Sequence, residues 1–256
     1  MARLIFLGTS AALPTIVRAN TMLAVMPDGE APGLLIDCGD RVYAALERAE
    51  LTRDAISDLF ITHAHIDHIG ALPSLIESLR LSGRRAPLRI WAIPEVLSVA
   101  RGLLSVFAFE LTLDDWAFDV TLAPVEPGEE LTLAGIPARI ARMDHSVPSA
   151  GIRLELPGGP VTYTCDTQPT PAIRELGSGS RLVIAECTFL QAQMAIARAS
   201  KHKTAIEAGE QASLCGAREL AMVHVGLWEP QQGMDEASRA FTGTVIIPND
   251  GDELRV

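Results

Sequence analysis

The stretch Thr62-His63-Ala64-His65-Ile66-Asp67-His68-Ile69-Gly70 sets the reading of the whole chain. Three histidines and one aspartate fall within six residues. The apolar run Leu59-Phe60-Ile61 stands before them and a small turn-like segment follows, the pattern of a strand that ends in a metal-binding loop. Neutral imidazole and carboxylate are ligands that zinc, iron and manganese favour. In extended backbone His63 and His65 alternate onto one side. Asp67 and His68 are adjacent, so they serve a second direction or a second metal.

Composition bounds what surrounds this loop. A chain of 256 residues can bury a large core. Hydrophobic content of 48% and charged content of 21% are those of an ordinary globular protein. No apolar run approaches the roughly 18–20 residues that span a bilayer. The start, Met1-Ala2-Arg3-Leu4-Ile5-Phe6-Leu7-Gly8, reads as a strand without signal-peptide layout, so the expected compartment is the cytoplasm, with no membrane partner. Cys38, Cys165, Cys187 and Cys215 are widely spaced with no C-x-x-C pair, which argues against a thiolate zinc site or a disulfide framework. They read as small buried hydrophobes. A net charge of −11 argues against a broad basic surface for nucleic acid.

Along the chain, strands are expected at Arg3–Leu7, Thr21–Met26 and Leu34–Asp37. The segment from Ala11 to Asn20 reads as a loop that carries Pro14 and Arg18. A helix is expected over Arg41–Ala49, then a brief helical turn capped by Thr52, then the strand Leu59–Thr62. Helices follow at Leu72–Leu81, with Pro73 in its first turn, and at Pro94–Phe109, with Val96, Val99, Leu103 and Phe107 in line; Leu88–Ile93 is a strand between them. Asp114–Val125 leads into strands at Val120–Val125, Glu130–Leu133, Ile136–Met143, Gly151–Leu156 and Val161–Cys165. The remainder alternates a helix over Thr170–Leu176, a strand over Leu182–Ala185, a helix over Thr204–Cys215, a strand over Leu220–Val225, a helix over Met234–Phe241 and strands at Thr244–Ile247 and Glu253–Val256. Thr204 followed by Glu207 is a capping box. No repeat, linker or low-complexity tract divides the chain, so one α/β domain over residues 1–256 is expected, with sheets inside and helices outside.

The chain has six histidines, and three form the opening cluster. His145 and His224 end two further strands, and Asp166 ends a third. Strand ends are where α/β folds place ligands. His202 lies in a polar loop just before the Thr204 helix.

In this order, His63-x-His65-x-Asp67-His68, His145, Asp166 and His224 resemble the metallo-β-lactamase superfamily pattern, and within it the ribonuclease Z-like branch. Phe6-Leu7-Gly8-Thr9-Ser10 with Pro14, Arg18 and Asn20 resembles that branch's opening, and Leu35-Ile36-Asp37-Cys38-Gly39 its second strand. Asp166-Thr167, Glu186-Cys187-Thr188-Phe189 and His202-Lys203-Thr204-Ala205 resemble its later motifs. The resemblance implies a four-layer αββα sandwich with metals at one edge of two facing sheets. It implies one metal on His63, His65 and His145, a second on Asp67, His68 and His224, and Asp166 bridging them.

Two divalent cations that share a hydroxide nucleophile suit hydrolysis of a phosphodiester. Zinc is the first choice for this ligand set, and manganese or iron fit the same mix. Asp67 would orient the hydroxide, and His202, steadied by Glu186, would be the proton donor to the leaving oxygen. Arg18 and Asn20 are the substrate-binding candidates.

The chain departs from the tRNA-processing members of that branch. The interval between the Pro94 helix and the strand at Ile136 is apolar and acidic, with Glu110, Asp114, Asp115 and Asp119, where those members carry a flexible tRNA-gripping arm. Val225-Gly226-Leu227-Trp228 stands in place of a serine, arginine and tyrosine run, and Ala19 separates Arg18 from Asn20. Phosphate recognition needs local cations. The favoured expectation is therefore a phosphodiesterase acting on a small ester. A tRNA 3′-processing endonuclease is the alternative, and a carboxyl-ester or lactone hydrolase a further one. Relatives in the branch are often dimers, which makes a homodimer the expected assembly.

Overall fold

The computed structural model describes residues 1–29, 31–107 and 118–256. The end of the expected Pro94–Phe109 helix, and Glu110, Asp114 and Asp115, lie outside the described residues. Two mixed sheets form the centre, as the αββα expectation required. The first contains β1 (Arg3–Gly8), β2 (Met22–Met26), β3 (Gly33–Ile36), β4 (Ile56–Phe60), β5 (Leu88–Ala92), β6 (Val120–Pro124) and β14 (Glu253–Arg255), in the order β14-β1-β2-β3-β4-β5-β6. The second contains β7 (Glu130–Leu133), β8 (Ile136–Met143), β9 (Ser149–Leu154), β10 (Val161–Tyr163), β11 (Leu182–Glu186), β12 (Glu219–Val223) and β13 (Thr244–Ile246), in the order β13-β12-β11-β10-β9-β8-β7.

Each sheet changes from antiparallel to parallel along its width. In the first, β2 and β3 pair antiparallel with Ala24 opposite Leu35, and β3 to β6 run parallel with Leu35, Leu59 and Ile90 in register. In the second, β8 and β9 pair antiparallel with Ile140 opposite Ile152, and β10 to β13 run parallel, with Tyr163 opposite Ile184 and Ile184 opposite Ala221. The outer layers are α1 (Val42–Arg48), α3 (Leu72–Leu81) and α4 (Pro94–Val106) over the first sheet, and α5 (Pro171–Gly177), α7 (Ala205–Leu214) and α8 (Pro230–Ala237) over the second. The short α2 (Ile66–Ile69) lies within the histidine-rich loop, and α6 (Met194–Ser200) just before His202. Strands β2, β3, β9, β10 and β11 are buried at every residue, as strands covered on both faces must be.

Several elements depart from the sequence expectation for physical reasons. Residues 51–55 form a turn without the helix expected after Thr52, and β4 begins at Ile56 instead of Leu59. Asp58 hid that strand, because its carboxylate is fully buried and accepts bonds from Arg89, Trp91 and the Ala134 amide. Strand β4 also stops before Thr62, whose amide leaves the ladder for the Asp37 carboxylate at 2.8 Å. Helix α4 buries Val96, Leu97, Ala100 and Leu104, whereas Val99 and Phe107 are exposed. The small Ala100 completes the i, i+4 stripe that the larger side chains only suggested. Helix α8 starts at Pro230, capped by Glu229 with Gln232, four residues before the expected Met234.

The C-terminal ends of β3, β4, β8, β10, β11 and β12 meet at one edge of the sandwich. The two sheets touch there through the His63–Ser149 bridge and the Ala150 amide, which donates to Thr62 O at 3.0 Å.

Candidate metal centre

Three strand ends turn through left-handed backbone. Asp37, Cys165 and His224 have φ of 64°, 48° and 55°. Such conformations cost about 1–2 kcal/mol for residues with a Cβ. Here they are held by the Asp37 amide donating to Phe60 O at 2.9 Å and the His224 amide donating to Thr21 Oγ1 at 3.0 Å. Gly39 lets the β3 end press against the metal loop, because a Cβ there would meet Asp67 O at 2.3 Å. The Cys38 amide donates to His68 O at 2.7 Å in the same contact.

The seven expected ligands converge as two clusters. In the first, His65 Nδ1 lies 3.1 Å from both His63 Nε2 and His145 Nε2. In the second, Asp67 Oδ2 lies 3.4 Å from His68 Nε2 and 3.2 Å from His224 Nε2. Asp166 Oδ2 is 3.4 Å from His68 Nε2, 3.1 Å from His224 Nε2 and 3.8 Å from His63 Nε2, so it reaches both clusters. Ligand atoms about 2.0–2.1 Å from a tetrahedral ion stand about 3.3 Å from one another. The observed separations match that edge.

The outer nitrogens decide which way each ring faces. His68 Nδ1 lies 2.9 Å from Asp37 Oδ2, and His145 Nδ1 lies 3.1 Å from Lys201 O, so both donate there. Thr62 Oγ1 donates to Asp37 and therefore accepts from His63 Nδ1 at 3.0 Å. Thr188 Oγ1 donates to Glu186 Oε2 at 2.8 Å and accepts from His224 Nδ1 at 2.8 Å. The opposite nitrogen of each ring is thus a bare lone pair aimed inward, the arrangement that outer partners impose on metal-ligating histidines. Lone pairs gathered this closely repel unless a cation lies among them. His68 Nε2 and Asp166 Oδ1 are buried without a hydrogen-bond partner, which is the signature of ligands. The site residues therefore fit divalent cations.

Charge supports the same fit at three of the imidazoles, whereas at His68 the Asp166 and Asp37 carboxylates outweigh burial and raise the ring, which carries the balancing proton until a cation takes its place. Burial holds the His63 imidazole well below its usual range, and the neighbouring His68 adds to this; burial also lowers His65 and His145. Neutral imidazole is the ligating form. Burial alone would raise Asp166, but His224 and His68 outweigh it and hold the carboxyl well below the ordinary carboxylate range.

Beside the clusters, Glu186 is fully buried and its Oε1 accepts from His202 Nδ1 and from the Thr167 amide, both at 2.9 Å. Burial opposes the charge on His202, but Glu186 prevails and lifts it to about 9. Glu186 and His202 are thus paired, with His202 in the loop between α6 and α7. Arg18 and Asn20 are placed differently. Arg18 donates to Thr9 Oγ1, to Pro248 O at 2.7 Å and to Asn249 Oδ1 at 3.0 Å. Asn20 is buried, donates to Ala11 O at 2.9 Å and accepts from the Asp40 amide at 3.1 Å. Both clasp loops to one another. Sequence reasoning missed Asp37, Thr62 and Thr188 as site residues, although Asp37 at a strand end before glycine carried the same signal as Asp166.

Known proteins resemble this chain along almost its whole length. The ribonuclease Z of Halorubrum lacusprofundi is 28% identical over 308 residues, covering 99% of this chain and 97% of the relative. An alignment that long across a 256-residue chain means the relative carries insertions absent here. The metallo-β-lactamase fold protein YhfI of Bacillus subtilis superposes with a TM-score of 0.84 at 21% identity, covering 99% of this chain and 98% of that one. The human short-form tRNase Z superposes with a TM-score of 0.78 at 23% identity, with the same coverage. A family profile described as Anti-Pycsar protein Apyc1 matches residues 2–201, most of the chain, and this metallo-β-lactamase fold protein belongs to that family.

Proposed function

We propose that this chain hydrolyses a compact phosphodiester with two divalent cations, zinc by first choice. It is a metal-dependent hydrolase by its relatives and donor set. His63, His65 and His145 would hold one ion, Asp67, His68 and His224 the other, and Asp166 would serve both. When bound, such ions acidify water towards neutral pH and offset charge on the phosphate. The remaining work belongs to the chain's own side chains. Asp67 orients the nucleophile by accepting its hydrogen bond. His202 donates a proton to the leaving oxygen, and Glu186, on its Nδ1, keeps the ring turned so that Nε2 carries that proton. The single observation that carries this reading is Asp166 within reach of two complete clusters beside the Glu186–His202 pair.

The compact substrate is inferred from the cations near the site. Lys201 is paired with Asp144 at 2.8 Å, Arg41 with Asp40 at 3.1 Å, Arg142 with Glu95 at 2.8 Å, and Arg18 is bound into its loop. In and beside the metal loop, Ile66 is 82% exposed, and Leu227, just past His224, is 73% exposed. An apolar rim with the nearby cations paired, among the described residues, suits one phosphate with an apolar flank better than a long polyanion. The family description adds a biological setting, action against Pycsar. A tRNA endonuclease is the second reading, supported by full-length relatives named ribonuclease Z.

Metal-loaded protein should cleave bis(4-nitrophenyl) phosphate, and Asp166→Ala should abolish the cleavage. Undiminished turnover after the metal is stripped would sink the mechanism. Precursor tRNA with a 3′ trailer separates the two substrates: accurate cleavage at the trailer would favour the second reading.

A further inference from the structure

Lys203 is completely buried directly after His202, and the mechanism above gives it no part. Its Nζ donates to Thr164 Oγ1 at 3.0 Å. Thr164 in turn donates to Cys165 O at 3.1 Å, so this acceptor is itself part of the β10 end. Lysine is almost never fully buried unless an anion offsets its charge. Thr164 is neutral. Burial lowers the Lys203 ammonium, and the Glu186 carboxylate opposes this most strongly, ahead of the Cys165 thiol and the Asp166 carboxylate.

The strands explain this placement. Strands β10 and β11 are parallel neighbours, Tyr163 faces Ile184, and the Thr164 amide donates to Ile184 O at 2.9 Å. Thr164 and Glu186 therefore leave the same end of adjacent strands. The Lys201-His202-Lys203 tripeptide crosses that end. Lys201 offers its carbonyl to His145 Nδ1, His202 bonds Glu186, and Lys203 drops into the floor on Thr164. A fully buried carboxylate whose only cation was the His202 imidazole would be costly to keep in place. The Lys203 ammonium, bound to Thr164 at the neighbouring strand end, offsets that cost without using the hydrogen bond that His202 needs.

We propose that Lys203 is a positioning residue: its buried ammonium is the counter-charge that holds the Glu186 carboxylate against His202 Nδ1 and so keeps His202 Nε2 turned to the leaving group. The inference rests on the reading of His202 as the proton donor. It extends that reading to a residue that touches neither substrate nor metal.

Lys203→Met keeps the side-chain length and deletes the charge. Two phosphodiesters separate its possible roles: bis(4-nitrophenyl) phosphate, whose nitrophenolate leaves without a proton, and a dinucleoside monophosphate, whose alkoxide needs one. For Lys203→Met we expect full metal content, a nitrophenyl rate within about threefold of the parent, and a dinucleoside rate down about tenfold or more, a part of the roughly 10²–10⁴ that an acid supplies. In the His202→Ala background the same change should cost nothing further on the dinucleoside, because the two residues act as one unit. A readout independent of turnover is the ¹⁵N spectrum of labelled histidine, in which the His202 signals are identified by their absence in His202→Ala. Those signals should show Nδ1 protonated in the parent and shift in Lys203→Met. Unchanged His202 signals, or equal losses on both esters with depleted metal, would overturn the proposal; the second result would tie Lys203 to Asp166. Equal losses on both esters in His202→Ala would overturn the acid role instead. Thr164→Val loosens the ammonium without deleting it. If Lys203→Met does not accumulate folded, Thr164→Val should show the same split, and its absence would count equally against the idea.

Discussion

The Asp37 carboxylate lies 2.9 Å from Nδ1 of His68, a residue 31 positions away in sequence. It also accepts from the Thr62 amide at 2.8 Å and from the Thr62 hydroxyl, which in turn steadies His63. One carboxylate thereby orients a ligand in each cluster. Asp37→Asn keeps the shape but weakens the acceptor. Metal affinity should fall by roughly 10–100-fold, the usual cost of losing such a partner. Competition against a chromogenic chelator measures it, and affinity equal to the parent would remove Asp37 from the site.

Thr188 joins His224 of the second cluster to the Glu186–His202 pair. Its hydroxyl donates to Glu186 and accepts from His224. Thr188→Val should lower metal affinity by about tenfold or more, as for other outer partners. It should also slow esters with poor leaving groups. Thr188→Ser retains the hydroxyl and should restore both. If serine fares no better than valine, the residue acts through packing alone.

Chelation should lower the melting temperature, and added zinc should restore it. Seven donor side chains, all but His65 buried, converge in the folded chain and are dispersed in the unfolded one. Selective binding to the folded state stabilises it by about 2.7 kcal/mol at a free metal concentration of about 100 Kd. A thermal scan with and without chelator tests this, and coincident curves would show that the clusters hold no ion.

The two His/Asp clusters were legible because groups able to hold a metal are of a few residue types and strand ends are marked by abrupt polarity. Helix α3 was legible to the residue because Pro73 marks its start and an apolar stripe runs its length. The Thr204–Glu207 box appears as read, with Glu207 Oε2 accepting from both the amide and the hydroxyl of Thr204 at 3.0 Å. Helix α6 was not legible: only Ala197 of Met194–Ser200 is buried, so no stripe marks it. Asp37, Thr188 and Lys203 were hidden for another reason. Their roles depend on partners that only the sheet order brings near, and their sequence context also suits a plain core. Arg18 and Asn20 show the converse, polar residues in a motif-like loop whose bonds the fold uses internally.

Arg84 supplies a test of the fold that is separate from the site. Its guanidinium is fully buried and donates to Arg53 O at 2.6 Å, Ile56 O and Pro87 O at 2.7 Å, and Ala86 O at 2.8 Å. It also lies 5.2 Å from the Phe118 ring centroid. These carbonyls lie just before β4 and β5 or, for Ile56, at the first residue of β4, at the opposite end of the strands from Thr62. Arg84→Met leaves several of them without donors, at about 1–3 kcal/mol for each that stays dry. Relaxation and water recover part of this, so a net loss of about 3 kcal/mol is expected. Arg84→Lys can reach the same carbonyls only from one point and should fall between the two. Urea unfolding measures the order, arginine above lysine above methionine. Turnover per folded molecule should stay at the parental value in both variants. A loss of turnover without a loss of stability would mean that this clasp communicates with the metal edge through β4.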